Sequence, residues 1–193
     1  MTWLDWLAGA VLFLQWPIPI FWLILHSLIG FWRRRRRAAY WVAGLTAWGG
    51  IAALLAALRG HLFAGVGAPL WAVIAGLVLL ATEVAILLRV ERELGFGRMV
   101  GRTELAGGGE LHTQGLYARV RHPRYAGMML AVLGACLLAG TLLMWVLSAA
   151  WLSLALLAIL LEERELRARF GAAYDDYARR VPALFPVRLR LRE

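Results

Sequence analysis

Residues 126–161 form an apolar run of 36 residues without a charged side chain, and this run constrains the fold more than any other feature. A membrane-spanning helix needs roughly 20 residues, so the run is too long for one span and slightly short for two spans with a loop. A tight helical hairpin that turns near Gly140 and Thr141 resolves the mismatch. Both ends of the hairpin then lie on the same side of the membrane, next to each other.

Three further apolar runs precede the hairpin and predict three or more additional spans. They cover about residues 7–32, where Pro17 and Pro19 kink or divide the helix, then 38–58 and 69–89. Whether the part before Pro17 crosses the membrane or lies at its interface stays open. The prediction is a single all-α integral membrane domain of about five spans. Its parts are N-terminal spans (1–90), a cytoplasmic loop (91–125), the hairpin (126–161) and a cytoplasmic amphipathic helix with a tail (162–193).

Charge is concentrated at the ends of the apolar runs, and the formal net charge of the chain is +9. The five arginines at 33–37 predict that this end lies in the cytoplasm. The pattern indicates contact with anionic lipid headgroups rather than with nucleic acid. Cys136 is the single cysteine, and the four histidines lack metal-ligand spacing, so neither a disulfide nor a metal is expected.

The longest polar interval between apolar runs, residues 111–127, lies directly before the hairpin. It reads Leu-His-Thr-Gln-Gly-Leu-Tyr-Ala-Arg-Val-Arg-His-Pro-Arg-Tyr-Ala-Gly. Pro123 disfavours a helical conformation at His122, so a corner is predicted there, with a helix that begins at about Pro123 or Arg124. Free N–H groups at such a corner suit an anion such as a carboxylate. A solvated basic loop at the headgroup level is the alternative interpretation.

Several carboxylates need separate explanations. Glu83 lies well inside the third apolar run, where a carboxylate is costly and is expected to face a partner or a polar cavity. After the hairpin, residues 162–181 predict an amphipathic helix. On that helix Glu163 and Glu165 each precede an arginine by four residues and are interpreted as surface pairs. Glu162 has no such partner and is therefore predicted to point toward the protein.

Two spaced motifs carry a family resemblance. They are Gly115-Leu-Tyr-x-x-x-Arg-His-Pro-x-Tyr-x-Gly127 and, after the hairpin, Glu162-Glu163-x-x-x-x-x-x-Phe170-Gly171-x-x-Tyr174-x-x-Tyr177-x-x-x-Val181-Pro182. In order and separation they resemble the isoprenylcysteine carboxyl methyltransferase family and its bacterial and phospholipid methyltransferase relatives. The earlier spans resemble that family in hydropathy alone.

The resemblance implies a membrane methyltransferase that uses S-adenosylmethionine (SAM) and acts on a lipophilic acceptor through a carboxylate, amine, hydroxyl or thiol. A bacterial member is expected in the inner membrane, with its active site on the cytoplasmic side. The resemblance makes the loop 91–125 a cofactor loop. The implied cofactor-binding residues are Leu111, His112, Tyr117, His122, Pro123, Arg124, Tyr125 and Glu162. Glu162 and Arg121 are the predicted catalytic residues, and Glu83 and His26 are predicted to line the acceptor cavity. The isoprenylcysteine enzymes have an arginine where this chain has Ala158, which argues against a prenylcysteine carboxylate acceptor.

Two other interpretations stay open, as does the oligomeric state. Membrane sterol-type reductases are similar at the C-terminal end and use NADPH, although this chain is short for them. The second is a non-catalytic membrane protein that retains the fold. Loss of SAM binding in folded variants of His122 or Glu162 would favour the methyltransferase.

Overall fold

The computed structural model describes residues 1–27, 29–63, 67–99 and 109–186, so residues 100–108 of the predicted cofactor loop and the tail from 187 lie outside the described residues. The described part contains the helices α1 (Trp3–Gln15), α2 (Pro17–Ser27), α3 (Ile29–Arg34), α4 (Arg36–Leu62), α5 (Leu70–Leu94), α6 (Phe96–Met99), α7 (Pro123–Ala139), α8 (Leu142–Phe170) and α9 (Ala172–Arg180). A 3-10 turn, Gly115–Ala118, lies between α6 and α7.

Four helical segments in the described residues are long and apolar enough to cross a membrane. They are Trp3–Ser27, Trp41–Leu62, Leu70–Leu94 and Leu142–Phe170, and α7 is a shorter apolar helix of 17 residues. The predicted all-α integral membrane fold is confirmed. The predicted span that is missing from these four is the first arm of the hairpin, and it corresponds to the shorter helix α7.

The hairpin of α7 and α8 turns where the sequence predicts. Gly140 ends α7 with a φ of 70°, a left-handed conformation that suits glycine. Thr141 caps α8 by accepting a hydrogen bond from the N–H of Met144. Its hydroxyl also donates to the carbonyl of Leu62 at 2.9 Å, which joins the turn to the end of α4. The predicted start of a helix at Pro123 is confirmed as well.

Pro17 divides the first span into α1 and α2, as the sequence predicts. It is the first residue of α2, where the missing N–H of proline removes no helical hydrogen bond. Helix α1 packs on α7, whereas α2 packs on α4 and α8. One face of α1, with Ala8 and Leu12 fully buried, packs in the bundle, whereas Trp6 and Leu14 are exposed apolar side chains, as expected of a helix that faces lipid. Together α1 and α2 are long and apolar enough to cross the membrane, which favours a crossing segment over an interfacial one.

Helices α5 and α7 share the most extensive helix contact, and glycines allow it. A Cβ atom at Gly134 would lie 2.9 Å from the carbonyl oxygen of Gly76, and one at Gly76 would lie 3.0 Å from that of Gly134. Inside a membrane, small residues let helix backbones approach closely and gain packing contacts. The two glycines therefore set the distance between α5 and α7.

Replacing Gly134 with leucine is expected to force α5 and α7 apart. The added side chain meets backbone, which cannot move as a side chain can, so we expect a loss of about 1–3 kcal/mol in the free energy of unfolding. Thermal unfolding in detergent measures this loss. Gly49→Leu is the matched control, because no atom of the described residues lies within 4 Å of a Cβ at Gly49. Equal melting temperatures for the two variants would contradict the role of Gly134.

Two predicted boundaries are wrong. Helix α5 continues past Arg89 to Leu94 and is followed by α6, so the helical part extends into the segment predicted as loop. Helix α8 runs unbroken to Phe170, so the residues from Glu162 onward prolong a spanning helix instead of starting a new one. The break comes at Gly171, which adopts a φ of 50° that glycine allows.

Candidate functional site

A cavity lies at the end of the bundle where α7 begins and α8 ends, as expected from the hairpin. Its lining includes the predicted residues Leu111, His112, Tyr117, Arg121, His122, Arg124, Tyr125, Glu162 and His26. Pro123 and Glu83 are not part of that lining, and Pro123 is fully buried at the start of α7. Side chains that the sequence did not single out as site residues also contribute, among them Trp22, Arg98, Glu165 and Arg169.

Arg121 joins the loop before α7 to both C-terminal helices. Its Nε and Nη2 donate to Oε1 of Glu163 at 2.9 and 2.6 Å. Its Nη1 donates to the carbonyls of Ala178 and Val181 at 3.0 and 2.5 Å. Only 12% of the Arg121 side chain and 8% of the Glu163 side chain are exposed, so breaking this pair would leave a buried charge without compensation.

The backbone beside this pair is bound to the segment after α9. The N–H groups of Arg121 and His122 donate to the carbonyls of Pro182 and Ala183, each at 2.9 Å. For these two groups the prediction of free N–H donors at the proline corner is wrong. The corner is fixed by the chain itself, and an anion would have to be held by other groups.

Glu163 is a central buried group and not a surface residue. It is 6% exposed and binds Nε2 of His122 at 3.2 Å and Nη2 of Arg167 at 3.2 Å, in addition to Arg121. The interpretation as a surface pair is wrong because Glu163 lies four residues after Ile159, on the buried face of α8. The predicted contact with Arg167, four residues later, does form, but Arg167 is one of three partners of Glu163.

Glu162 has a different environment from its neighbour. Its side chain is 32% exposed and lines the cavity, as predicted from its lack of an i,i+4 partner. Its Oε2 lies 3.9 Å from Nδ1 of His122, too far for a hydrogen bond. This carboxylate therefore keeps accepting capacity on the cavity side.

Glu93 at the end of α5 holds the beginning of the first motif. Its Oε2 accepts the N–H of Leu116 at 2.9 Å, and its Oε1 accepts Nε of Arg89 at 2.9 Å. Gly115 has a φ of 59°, and a Cβ there would lie 2.3 Å from Oε1 of Glu93. The motif therefore needs glycine at 115, both for this conformation and for the approach of the carboxylate.

Two phenols near the cavity keep their protons at neutral pH. Burial raises the pKa of Tyr117 above its ordinary value, and the charge of Glu162 raises it further. Burial raises the pKa of Tyr177 to about 12. The Tyr177 hydroxyl is thus a donor at neutral pH, and it binds the carbonyl of Tyr117 at 2.6 Å. This bond joins α9 to the 3-10 turn.

Four buried polar atoms of the cavity lining have no hydrogen-bond partner in the described part of the chain. They are Nε2 of His26, Nε2 of His112 and the hydroxyls of Tyr125 and Tyr174. Buried polar groups in native proteins are nearly always hydrogen-bonded, so such atoms are expected to meet a ligand or water. They give the cavity polar binding capacity at four positions.

His26 of α2 and Glu165 of α8 form a pair that the sequence did not reveal. Nδ1 of His26 lies 2.7 Å from Oε2 of Glu165, and the imidazole stacks on Trp22 with centroids 5.2 Å apart. The interpretation of Glu165 as a surface pair is wrong, since its side chain is only 12% exposed. Arg169 does approach Oε1 of Glu165, at 3.8 Å, but on the cavity side.

Glu83 lies deeper in the bundle, in a polar cluster of three helices. Its Oε1 accepts Nη1 of Arg124 at 2.7 Å and Nε2 of Gln15 at 3.3 Å. Nη2 of Arg124 donates to Oε1 of Gln15 at 3.1 Å, which closes the cluster. The predicted partner for this carboxylate exists. Because Arg124 also lines the cavity, it connects the cluster to the site.

Comparison with known proteins identifies the family. The family model for phospholipid methyltransferase matches residues 71–173, more than half of the chain. The chain belongs to this family. The resemblance expected from the two motifs is therefore confirmed. No solved structure matches the chain.

The chain is similar to one curated protein of known name, methanethiol S-methyltransferase 2 from Bradyrhizobium diazoefficiens. It is 44% identical over 85 residues, which make up 44% of this chain and 31% of the relative. The chain thus matches about a third of the length of that relative. The family match runs from α5 to the start of α9 and includes the loop, the hairpin and both adjacent carboxylates, whereas α1 to α4 lie outside it.

Proposed function

We propose that this methyltransferase transfers the methyl group of SAM to a lipophilic acceptor that reaches the cavity from the bilayer, with a thiol as the first candidate. One observation carries the proposal. The side chains of the family's motif region converge on a single cavity at the end of the spanning helices, where a polar donor and an apolar acceptor can meet.

The lining fits the chemical groups of SAM. The ammonium and ribose hydroxyls of SAM are donors, and the half-exposed carboxylate of Glu162 has accepting capacity for them. Nε2 of His112 and the hydroxyl of Tyr125 are buried atoms in need of partners, which polar groups of SAM can supply. The ring of Tyr117 offers a face for the positive sulfonium. When bound, SAM supplies a methyl group that is activated by the sulfonium charge.

The contribution of the protein is to align two reactants and exclude water, because methyl transfer is an in-line displacement. Arg121 has its Nε and both Nη bound to Glu163 and to carbonyls of α9 and the segment after it. We therefore assign Arg121 a positioning role instead of the catalytic role predicted from the sequence. It fixes the loop with His122 and Tyr125 against α8.

A thiol is proposed as acceptor because the curated relative is, by its name, a methanethiol S-methyltransferase. The apolar side chains of Trp22, Val90, Leu94 and Leu166 line the same cavity and suit the hydrocarbon part of an acceptor. The absence of an arginine at Ala158 agrees with an acceptor that carries no prenylcysteine carboxylate. Amines, hydroxyls and carboxylates are the other nucleophiles to test.

We place the cavity on the cytoplasmic side, in a bacterial inner membrane. Arg34 and Arg35 lie at the junction of α3 and α4, Arg92 lies near the end of α5, and Arg98 of α6 lines the cavity. Such an excess of arginine is typical of cytoplasmic ends. Family membership favours a methyl donor over NADPH, and the remaining alternative is a non-catalytic member of the family.

Methyl transfer by the detergent-purified full chain tests the proposal. SAM labelled in its methyl group is incubated with alkyl thiols of increasing length, and we expect labelled thioethers. Acceptors with amine, hydroxyl and carboxylate groups are assayed in parallel, and NADPH oxidation is measured on a sterol-type substrate. A folded protein that labels no acceptor of the four classes would contradict the proposed function and would favour the non-catalytic alternative.

A further inference from the structure

We propose that His26 is the general base for the acceptor, that Glu165 positions it, and that the acceptor therefore enters with a proton to lose, as a neutral thiol does. This inference rests on the proposed function and names the group that would act on the acceptor. His26 lies in α2, outside the matched family region, so it would be a contribution of the N-terminal half of this chain.

The geometry of the pair leaves one nitrogen available. Nδ1 of His26 lies 2.7 Å from the Glu165 carboxylate, so Nδ1 carries the proton and donates it in a hydrogen bond. The lone pair of the neutral ring is then on Nε2. This atom is buried and has no hydrogen-bond partner among the described residues, and the ring lines the cavity. With 3% of its side chain exposed, His26 is built into the site.

The surroundings fix the orientation of the ring. The imidazole stacks on the indole of Trp22 with an angle of 22° between the planes, which holds the plane of the ring, and the contact of Nδ1 with Glu165 would be lost if the ring flipped within that plane. Arg169 lies 3.8 Å from the second oxygen of Glu165 and neutralises part of its charge. Pairing of a carboxylate with an imidazole stabilises the imidazolium that proton uptake produces.

The position along α8 brings this pair next to the proposed cofactor contact. Glu162 and Glu165 are three residues apart on one helix, so their side chains lie about 5–6 Å apart at Cβ. Both line the same cavity. The base would therefore face the acceptor, while Glu162 would face the methyl donor.

The chemistry explains why a base is needed for a thiol. The thiolate is the nucleophile, and an alkyl thiol is mostly protonated at neutral pH. The S–H bond breaks, its proton goes to Nε2 of His26, and its electron pair stays on sulfur. That sulfur forms the new bond to the methyl carbon as the old carbon–sulfur bond breaks and leaves its electrons on the departing thioether. The imidazolium then returns its proton to water.

His26→Asn tests the base because the asparagine amide can still donate to Glu165 from near the Nδ1 position, whereas the basic nitrogen is gone. Two acceptors are compared at saturating SAM, an alkyl thiol and an electron-poor aryl thiol that is already ionised at neutral pH. We expect kcat for the alkyl thiol to fall by about 10²-fold or more and kcat for the aryl thiolate to change far less. In Glu165→Gln we also expect kcat to fall more for the alkyl thiol than for the aryl thiolate, but by a smaller factor than in His26→Asn.

Two further measurements separate this inference from the proposed function. SAM binding, measured by calorimetry, is expected to be equal in the wild type and in His26→Asn, with the exposed His61→Asn as the matched histidine control. Nitrogen-15 NMR of the histidine side chains is expected to show the His26 proton on Nδ1. A wild-type protein that binds no SAM would contradict the proposed function. Intact SAM binding with an equal loss for both acceptors, or with the proton on Nε2, would overturn the role of His26.

Discussion

Replacing Arg121 with alanine is expected to lower the free energy of unfolding by about 3 kcal/mol, because Glu163 would remain buried without its main partner. The carbonyls of Ala178 and Val181 would lose their donor at the same time. The loop before α7 would then separate from α8 and α9, and SAM binding should be lost together with stability. Thermal unfolding in detergent and calorimetric titration with SAM measure the two effects.

Arg119→Ala is the matched control for this experiment. Arg119 lies in the same loop, is exposed and is absent from the cavity lining, so its removal should leave the melting temperature and SAM affinity unchanged. The double variant Arg121→Met, Glu163→Met removes both charges and is expected to recover part of the lost stability. An Arg121→Ala protein as stable as Arg119→Ala would contradict the assignment of Arg121 as the residue that joins loop and helices.

Replacing Glu162 with alanine is expected to weaken SAM binding by about 10- to 100-fold without a loss of stability, since a hydrogen bond to a charged group contributes about 1.5–3 kcal/mol. The side chain is half-buried, and its only described ion-pair contact is with His122 at 3.9 Å, so folding depends little on it. Glu91→Ala is the control, because Glu91 is exposed on α5 and does not line the cavity. SAM affinity equal to that of Glu91→Ala would show that Glu162 does not contact the cofactor.

The sequence predicted the hairpin and the position of the cavity because both follow from length and hydropathy. An uncharged run of 36 residues has few ways to satisfy its backbone in a bilayer, and a helical hairpin is the shortest one. Once the hairpin is accepted, the loop that ends at His122 must meet the chain that follows Leu161. The cavity lining confirms this meeting.

The roles of Glu163 and Glu165 could not be predicted from the i,i+4 rule. That rule describes partners on the same helix, and here the decisive partners, Arg121 and His26, come from other parts of the chain. The signal that was available for Glu163 is the register of α8. Extending the buried face through Ile159 by one turn reaches Glu163, but only if α8 is recognised as continuous to Phe170.

The sequence also did not reveal which residues of different helices pair with each other inside the bundle. Glu83 was expected to face a partner or a polar cavity, but the sequence did not indicate which residue the partner would be. The partner is Arg124 at the start of α7, supported by Gln15 of α1. Such a choice depends on helix packing that hydropathy does not encode, since the close contact of α5 and α7 relies on single glycines such as Gly134.

The central claim is that SAM binds in the cavity between the loop before α7 and the end of α8. Ultraviolet cross-linking of methyl-labelled SAM to the detergent-purified full chain, followed by mass spectrometry of the labelled peptides, tests it most directly. The account predicts label in residues 111–125 or 162–177, competed away by unlabelled SAM. Competable label elsewhere, for example beside the exposed groove of Trp41 and Gly49 on α4, would contradict it, as would a folded protein that takes up no competable label.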